Sequence, residues 1–412
     1  MSKLNIIDLF AGCGGLSDGF DQSGKFKTIA CVEWEKEPCN TLIKRLSDKW
    51  GYKNAKEIVL RFDIQRTIEL ISGWESDKEY GDSRGLDYLV NKYAKGRVDL
   101  IIGGPPCQAY SLAGRIRDEN GMNDDYRNFL FESYLKVVDH YQPKAFIFEN
   151  VPGLLSAKPG GVSIVDRITK EFSKKGFVIT NDLRGQALID CSEFGIPQVR
   201  KRLVIIGINS TLFETSPEEA IDLFYNKILP KHKTKQRTVN DAIGDLPKIY
   251  PLDSPLKQNN KTISHFLQDQ INLNNHIPRT HSARDIGIFK LLTQDIESGK
   301  NKYASTESLK ELYFKTTGKR SNVHKYHVLR KNKPSNTIPA HLYKDGLRHI
   351  HPDSNQARTI TVREAARFQS FADDFIFTGS MTEQFKMIGN AVPPILGKVI
   401  ADSVYELLER IK

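Results

Sequence analysis

Cysteine is scarce in this chain, with five residues in 412, and no two of them form a Cys-x-x-Cys pair. So few cysteines, odd in number, predict neither a disulfide framework nor a zinc site built on thiolates. His324 with His327, and His349 with His351, could each contact a metal ion as a pair. Neither pair has a third or fourth ligand nearby in the sequence, so we expect these histidines to hold no metal.

Long hydrophobic runs are also missing. No apolar stretch approaches the ~20 residues of a membrane-spanning helix, and the N-terminus lacks the charged stub and apolar core of a secretory signal. We therefore expect a cytoplasmic protein with no membrane contact. The composition, 39% hydrophobic and 27% charged over 412 residues, is typical of a globular chain with one large and one smaller domain.

Positive charge is in excess: 60 Lys and Arg stand against 50 Asp and Glu, a net charge of +10. Such a surplus favours a polyanionic partner, but many basic proteins bind no nucleic acid. Charge alone therefore leaves nucleic-acid binding open.

Short β-rich apolar runs alternate with helical stretches through the first half of the chain. The runs occupy residues 4–10, 26–34, 58–64, 98–104, 144–151 and 202–208. This alternation predicts an α/β fold with a doubly wound, mostly parallel sheet. Polar or reactive residues follow several runs where they end, and in such a sheet the carboxyl ends of the strands form the ligand crevice. One site could therefore hold all of them.

The regular pattern dissolves after about residue 225. From there to about residue 355 the chain is polar, basic and rich in asparagine, which predicts a smaller, irregular domain. Thr361 and Glu364 then have the spacing of a capping box at a helix start. Residues 393–411 follow the pattern of an amphipathic helix that begins with proline.

The stretch DLFAGCGGLSDGF follows the first predicted strand and opens a helix. Glycines there let the backbone approach a ligand closely, and a helix N-terminus favours a negatively charged group. The pattern is not Gly-x-Gly-x-x-Gly, because Ser17 stands where the third glycine would follow Gly12 and Gly14. A dinucleotide pyrophosphate is therefore the less favoured ligand.

Three residues at the ends of the second and third runs suit an adenosine. Glu33, about 20 residues after the glycine turn, has the usual position of a carboxylate that binds ribose hydroxyls. Trp34 could stack on the adenine, and Asp63 could accept its exocyclic amine. Adenine, ribose and a small charged tail together predict S-adenosylmethionine, although each of these residues alone also fits a solvated side chain.

Six motifs, in this order, resemble those of the DNA (cytosine-5)-methyltransferases of bacterial type II restriction-modification systems. They are DLFAGCGG, GGPPCQAYS, ENVPGLL, FGIPQVRKRL, TVREAARFQSF and GNAVPP. The resemblance spans nearly the whole chain, and the irregular region falls where this family keeps its variable target-recognition domain. It implies the fold of the S-adenosylmethionine-dependent methyltransferases and methylation of carbon-5 of a cytosine in double-stranded DNA.

The resemblance also implies catalytic roles. Cys107 would be the nucleophile that attacks carbon-6 of cytosine, presented by the two prolines before it. Glu149 would protonate ring nitrogen-3, which requires burial to raise its pKa. Arg200 and Arg202 match paired arginines that contact the cytosine oxygen, a phosphate and the nucleophile's loop. Two residues apart on a strand, they would face the same side.

The remaining roles that the resemblance implies concern DNA and the cofactor. Gln108 and Ser111 match contacts to DNA, in a long polar stretch that we expect to close over a flipped-out cytosine. The implied partner is double-stranded DNA, which the enzyme would protect from a cognate nuclease, and we expect a monomer associated with the nucleoid. The implied residues for S-adenosylmethionine are Phe10, Gly12, Gly15, Glu33, Trp34, Asp63, Ile64, Pro106, Leu130, Asn390 and Val392.

The domain organisation follows from the same comparison. We predict a catalytic and cofactor-binding domain over residues 1–225 and a target-recognition domain with a hinge over 226–378. Residues 379–412 are predicted to return to the catalytic domain. Residues 73–97 exceed the minimal core of the family, and we expect an extra loop and helix without an assigned role. The recognised DNA sequence cannot be read from an irregular domain, because a few side chains of unknown register decide it.

Three alternatives compete with this interpretation. A tRNA methyltransferase of the same fold would need a shorter irregular region and would carry an additional Cys-Phe-Thr motif. An inactive DNA-binding regulator would have no use for Cys107, Glu149, Arg202 and Glu33. A thiol oxidoreductase would need a resolving cysteine near Cys107 in sequence.

Overall fold

The structure, a computed structural model, describes residues 3–106, 130–158, 161–258, 261–269, 273–344 and 346–411. The chain forms two compact units. Unit 1 comprises Met1–Gly195, Arg200–Lys235 and Ala391–Lys412, and unit 2 comprises Ile196–Val199 and Gln236–Asn390. The boundaries predicted at residues 225 and 378 concern functional domains, and they stay a prediction.

Unit 1 is built around a mixed sheet. The strands of this unit are β1 (Leu4–Leu9), β2 (Phe26–Glu33), β3 (Val59–Arg61), β4 (Trp74–Asp77), β5 (Gly81–Ser83), β6 (Leu100–Gly103), β7 (Ala145–Asn150), β8 (Phe177–Ile179), β9 (Leu188–Asp190) and β10 (Lys201–Asn209). The main sheet has the order β3-β2-β1-β6-β7-β10-β8, with β9 paired to β10, whereas β4 and β5 pair with each other.

Strand direction separates the two halves of the main sheet. The strands β3, β2, β1, β6 and β7 run parallel to one another, whereas β10 runs antiparallel to β7, β8 and β9. Most residues of β1, β2, β6, β7 and β10 are buried without alternation, which is typical of strands covered on both faces. The predicted α/β fold with a mostly parallel sheet is confirmed.

The helices are short to medium in length. They are α1 (Gly15–Ser23), α2 (Lys36–Asp48), α3 (Ala55–Ile58), α4 (Thr67–Ser72), α5 (Gly85–Ala94), α6 (Leu130–Tyr141), α7 (Ile164–Lys174), α8 (Pro217–Asp222), α9 (Val239–Ile243), α10 (Ala283–Glu297), α11 (Thr306–Thr317), α12 (Val362–Phe368), α13 (Met381–Asn390) and α14 (Pro394–Arg410). Helix α14 begins with proline in its first turn, as predicted.

Helices α1 and α14 approach each other through glycines. A Cβ atom at Gly19 would lie 2.4 Å from the carbonyl carbon of Gly397, and one at Gly397 would lie 2.8 Å from the carbonyl oxygen of Leu16. The first helix after the glycine turn is therefore held directly against the returning C-terminal helix.

We expect Gly19→Ala to lower the free energy of unfolding by about 1–3 kcal/mol, the usual cost of overpacking a close contact. The added methyl group would meet backbone atoms of α14, which cannot rotate away. Urea denaturation followed by circular dichroism measures the effect.

The matched control is Gly287→Ala in α10. Gly287 is exposed, and no atom lies within 4 Å of the position that an added Cβ atom would occupy. Alanine should raise helix stability there by about 0.5–1 kcal/mol. Equal unfolding midpoints for Gly19→Ala and the wild type would contradict the close contact.

Unit 2 has its own core. Its strands β11 (Ile249–Gln258) and β12 (Lys261–Leu267) form an antiparallel hairpin. A hydrophobic cluster joins α10 and α11 to loop residues and contains Ile288, Phe289, Leu292, Leu312, Tyr326, Val328, Ile350 and Ala357. The predicted capping box of Thr361 and Glu364 starts α12. Buried Arg358 donates to both carboxylate oxygens of Glu364, at 2.7 and 2.6 Å.

Candidate active site

The carboxyl ends of the parallel strands carry most of the predicted site residues. Glu33 ends β2, Glu149 lies at the end of β7, and Asp63 follows β3 after one intervening residue. Strand β10 starts at the same edge, because Leu203 pairs with Asn150 in the antiparallel register. The topology therefore brings Arg202 to the edge at which the parallel strands end.

The glycine turn between β1 and α1 is unusual in its backbone. Phe10 has φ 58°, Gly12 φ 56° and Gly14 φ 90°. A bulky residue in the left-handed region is rare and strained, so the surrounding structure must hold Phe10 there. Backbone strain of this kind is common at ligand sites, and the cofactor role of this turn stays a prediction.

The Glu33 carboxylate ties the glycine turn to the end of β2. Its Oε2 accepts from the backbone N–H of Gly12 at 2.9 Å, and its Oε1 accepts from those of Trp34 and Glu35, both at 2.9 Å. Burial raises the pKa of Glu33 to about 7, and the three N–H donors limit the rise. The Glu33 side chain therefore connects the glycine turn to the backbone that follows β2.

The neighbouring residues leave a face for a planar ring. Trp34 is 45% exposed, whereas Ile64 is buried. Asp63 Oδ1 accepts from the backbone N–H of Gln65 at 3.0 Å, which closes the turn after β3. The exposed Trp34 ring therefore follows β2, and the Asp63 turn with buried Ile64 follows the adjacent strand β3.

The other predicted cofactor residues lie on several separate elements. Gly15 lies against Val392, since a Cβ atom at Gly15 would be 2.2 Å from the Val392 carbonyl oxygen. Leu130 is buried at the first position of α6, and partly buried Pro106 lies just beyond β6. Exposed Asn390 is the last residue of α13 and belongs to unit 2.

Glu149 lies beside the segment that leads to the predicted nucleophile. A Cβ atom at Gly104 would be 2.6 Å from Glu149 Oε2, so a side chain at this position would displace the carboxylate. Arg202 Nε lies 2.8 Å from Glu149 Oε1, and both side chains are about nine-tenths buried, with 11% and 10% exposed. Asn150 Nδ2 donates to the Pro105 carbonyl at 3.2 Å. The end of β7 therefore holds the Gly-Gly-Pro-Pro segment in place.

The electrostatics of this cluster are set by burial. Burial raises the pKa of Glu149, and the charges of Arg202 and Arg200 limit that rise. Burial, with Arg202 nearby, lowers the pKa of Arg200 to about 9. The Arg200 Nη2 group donates to the Ala391 carbonyl at 3.1 Å. The charges of both arginines therefore act on Glu149, although Arg200 precedes β10 and the predicted common strand face stays a prediction.

Cys107, Gln108 and Ser111 lie outside the described residues. Their roles stay predictions that rest on the resemblance. Pro106 is the last described residue before them.

Two residues of this edge were missed at the sequence level. Asp8 in β1 is fully buried below the glycine turn, with both carboxylate oxygens enclosed. Burial raises the pKa of Asp8 to about 8, and interaction with Ser17 limits that rise. An acidic residue inside an apolar strand run was the available signal. Gly104 was the second missed residue, and the doubled glycine before Pro-Pro was the sequence feature that could have identified it.

Among the described residues, no group of three His, Cys, Asp or Glu side chains is arranged to hold a metal ion. No helix in the same part of the chain is long and apolar enough to cross a membrane.

Comparison with known proteins identifies the family. The family model of the C-5 cytosine-specific DNA methylases matches residues 4–406. The type II methyltransferase M.Bpa9945I of Bacillus paralicheniformis is 34% identical over 98% of this chain and 99% of its own length. The type II methyltransferase M1.HphI of Haemophilus parahaemolyticus is 31% identical, over 98% and 87% respectively.

Solved structures share the fold. A protein of an E. coli prophage, assigned as a DNA modification methyltransferase, is similar with a TM-score of 0.61 and 25% identity, covering 99% of this chain and 100% of that one. The S. pombe Dnmt2 methyltransferase shares the fold with a TM-score of 0.53 at 13% identity, covering 99% of each chain. The chain belongs to the C-5 cytosine-specific DNA methylases and is a DNA cytosine-5-methyltransferase of the type II restriction-modification class.

Proposed function

We propose that the enzyme transfers the methyl group of S-adenosylmethionine to carbon-5 of a cytosine flipped out of double-stranded DNA. The proposed role is protection of host DNA, at one specific sequence, from a cognate restriction endonuclease. The observation that carries the proposal is the contact of Gly104, three residues before Cys107, with Glu149, which is paired with Arg202. A nucleophile, a proton donor and a fixed cation would then meet around one base.

The residues near the glycine turn fit S-adenosylmethionine. Glu33 suits the ribose hydroxyls, Trp34 offers an exposed ring for the adenine, and the Asp63 turn suits the exocyclic amine. No atom lies within 4 Å of the position that a Cβ atom would take at Gly12, so a ligand could approach the backbone of the turn there. When bound, S-adenosylmethionine supplies an electrophilic methyl group on a sulfonium.

The chain's own groups supply the activation of the base. The Cys107 thiolate would add to carbon-6, which moves negative charge onto ring nitrogen-3. Glu149 in its acid form would protonate or hydrogen-bond that nitrogen, because burial favours the acid. Arg202 would orient Glu149 and, with Arg200, bind the cytosine oxygen and a flanking phosphate.

The remaining roles concern DNA. Carbon-6 of cytosine cannot be reached inside a duplex, so the base must leave the stack before attack. We assign target recognition to residues 226–378, DNA contacts to Gln108 and Ser111, and the return to the catalytic domain to residues 379–412. The net charge of +10 supports phosphate binding. We expect a monomer, cytoplasmic and bound to the nucleoid.

Bisulfite sequencing tests the proposed function directly. Purified enzyme incubated with DNA and S-adenosylmethionine should leave cytosines that resist conversion at a single sequence context. Omission of S-adenosylmethionine should remove that protection. Resistant cytosines scattered without a common sequence, or resistance that does not depend on the added donor, would refute the proposal.

A further inference from the structure

The segment of residues 73–97, which we predicted to be an addition to the family's minimal core, contains a hairpin and a helix. Strands β4 and β5 pair with Trp74 opposite Ser83 and Asp77 opposite Gly81, and α5 follows. The hairpin, residues 74–83, contacts the turn after β3 from outside. That turn, residues 62–66, contains Asp63 and Ile64, the proposed adenine contacts.

Arg61 connects the hairpin to Trp34. Its Nε donates to the Trp34 carbonyl at 3.2 Å. Its Nη1 donates to the Glu79 carbonyl at 3.1 Å and its Nη2 to Glu79 Oε1 at 3.0 Å. The guanidinium also lies over the Tyr80 ring, 5.2 Å from its centroid. One side chain thus joins the backbone of Trp34 to two residues of the hairpin.

Arg66 connects the hairpin to the far end of the same turn. Its Nη1 lies 2.6 Å from Asp77 Oδ2, and its backbone N–H donates to the Asp63 carbonyl at 3.1 Å. Asp77 in turn accepts at Oδ1 from the backbone N–H groups of Glu79 and Tyr80, each at 2.9 Å. The carboxylate that contacts Arg66 therefore also shapes the hairpin loop.

The space between the two arginines is filled by aromatic rings. Phe62, buried at 1% exposure, stacks on Trp74 with ring centroids 3.8 Å apart and an angle of 21°. Tyr80 meets the Phe62 ring edge-on at 5.1 Å. The 74–83 hairpin thus contacts the turn at Phe62 and Arg66, and the residue before it at Arg61.

We propose that the 74–83 hairpin is a positioning element for the nucleoside end of the methyl donor, holding Trp34 and the Asp63 turn in the arrangement that receives adenosine. The inference rests on the proposed function, since it assumes that the donor binds at Trp34 and Asp63. Its physical basis is preorganisation: contacts that fix the free site reduce the ordering cost of binding. The hairpin touches neither Glu149 nor Arg202 in the described contacts, so it should affect donor affinity and leave the chemical step unchanged.

The test uses a shortened hairpin in the full-length enzyme. Because Trp74 and Ser83 are direct cross-strand partners, residues 75–82 can be replaced by Asn-Gly, a two-residue turn. This variant keeps the Phe62–Trp74 stack and removes Asp77, Glu79 and Tyr80. The double variant Asp77→Ala, Glu79→Ala makes the same test with the backbone intact, and Glu75→Ala, at an exposed position of the same hairpin, is the matched control.

Isothermal titration of S-adenosylhomocysteine and of adenosine, without DNA, gives the primary readout. Exposed ion pairs each change an affinity by up to about fivefold, so both altered hairpins, which lose two such pairs, should bind both ligands about tenfold more weakly. Glu75→Ala should bind as the wild type does. Glu79→Gln, which keeps an acceptor for Arg61, should lose less affinity than Glu79→Ala.

Kinetics separate positioning from general damage. The altered hairpins should raise KM for S-adenosylmethionine about tenfold, while kcat at saturating donor and the Kd for DNA remain within twofold of the wild type. Unchanged ligand affinity in both altered hairpins, or an equal loss of kcat, would overturn the inference. Trp34→Ala distinguishes the two proposals. If Trp34→Ala binds the donor more weakly but the altered hairpins do not, the hairpin's role is refuted and the donor site stands. If Trp34→Ala binds the donor as the wild type does, the donor site is refuted as well.

Discussion

Cys107→Ser is expected to abolish methylation, and with it the covalent complex that the wild type should form on DNA containing 5-fluorocytosine at the target position. After thiolate addition to carbon-6 and methylation of carbon-5, the intermediate resolves only by loss of the carbon-5 proton. Fluorine cannot leave in that way, so enzyme and DNA should stay joined on a denaturing gel. A serine hydroxyl is far less ionised near neutral pH and a poorer nucleophile toward such a ring.

A second thiol provides the control for this experiment. Cys191 is buried near Arg200, Arg202 and Glu149, and burial raises its pKa to about 11. Cys191→Ala should therefore keep the covalent complex. Cys107→Ser should still bind the target DNA, because phosphate and base contacts come from other residues. Methylation by Cys107→Ser, or no complex from a wild type that binds the fluorinated DNA, would show that another group is the nucleophile.

The parallel half of the sheet was predictable from local sequence. The runs predicted at 4–10, 26–34 and 144–151 appear as β1, β2 and β7 with ends shifted by a residue or so. Buried strands of this kind are continuous apolar runs, which a chain shows without knowledge of its partners. The family followed from six motifs in order, and the family model confirms it over residues 4–406.

Other features depend on contacts between distant residues. The antiparallel direction of β10 and the core of unit 2 cannot be read from periodicity, because that core combines α10 and α11 with single loop residues such as Tyr326 and Ile350. Gly104 follows β6 and Glu149 lies on β7, so their contact cannot be read from local sequence. The doubled glycine is its only sign in the sequence. Residues 73–97 were predicted from the sequence as an extra loop and helix, but the contacts of the 74–83 hairpin with Arg61 and Arg66 depend on tertiary geometry.

Asp8 shows why motif reasoning alone understates the site. The motif DLFAGCGG identifies the turn by its glycines, and Asp8 lies just before that turn on β1. In the fold its carboxyl is enclosed, near Glu33 and Asp21, and these carboxylates add to the effect of burial on its pKa. The raised pKa of Asp8 comes from this enclosure, which only the packed structure reveals.

Glu149→Gln is expected to lower kcat by a factor of about 10²–10⁴, the usual contribution of a positioned general acid. Glutamine has nearly the same shape and can still contact Arg202 and lie against Gly104, so the geometry should survive. It has no proton to transfer to ring nitrogen-3. Single-turnover methylation at saturating donor and DNA measures the loss, and Glu171→Gln, a carboxylate paired with Lys174 on α7, is the matched control.

The pH dependence provides the sharper test of Glu149. Burial raises its pKa, so the acid form persists above the range of an ordinary glutamate. Because the acid is the proposed active form, the wild-type rate should fall as pH rises through this raised pKa. Glu149→Gln should lack that step, whereas Glu171→Gln should keep it. A pH profile shared by the wild type and Glu149→Gln would assign the proton to another group.

Protonation of Glu149 should also affect the free energy of unfolding when no substrate is present. A carboxyl whose pKa is raised by folding contributes stability below its unfolded pKa and loses it as pH rises through the folded value. As pH increases above the ordinary glutamate range, the free energy of unfolding of the wild type should therefore fall relative to that of Glu149→Gln. Urea denaturation of both proteins at a series of pH values measures this difference. A pH-independent difference would mean that Arg202 keeps Glu149 ionised in the folded enzyme, and that it does not serve as the acid.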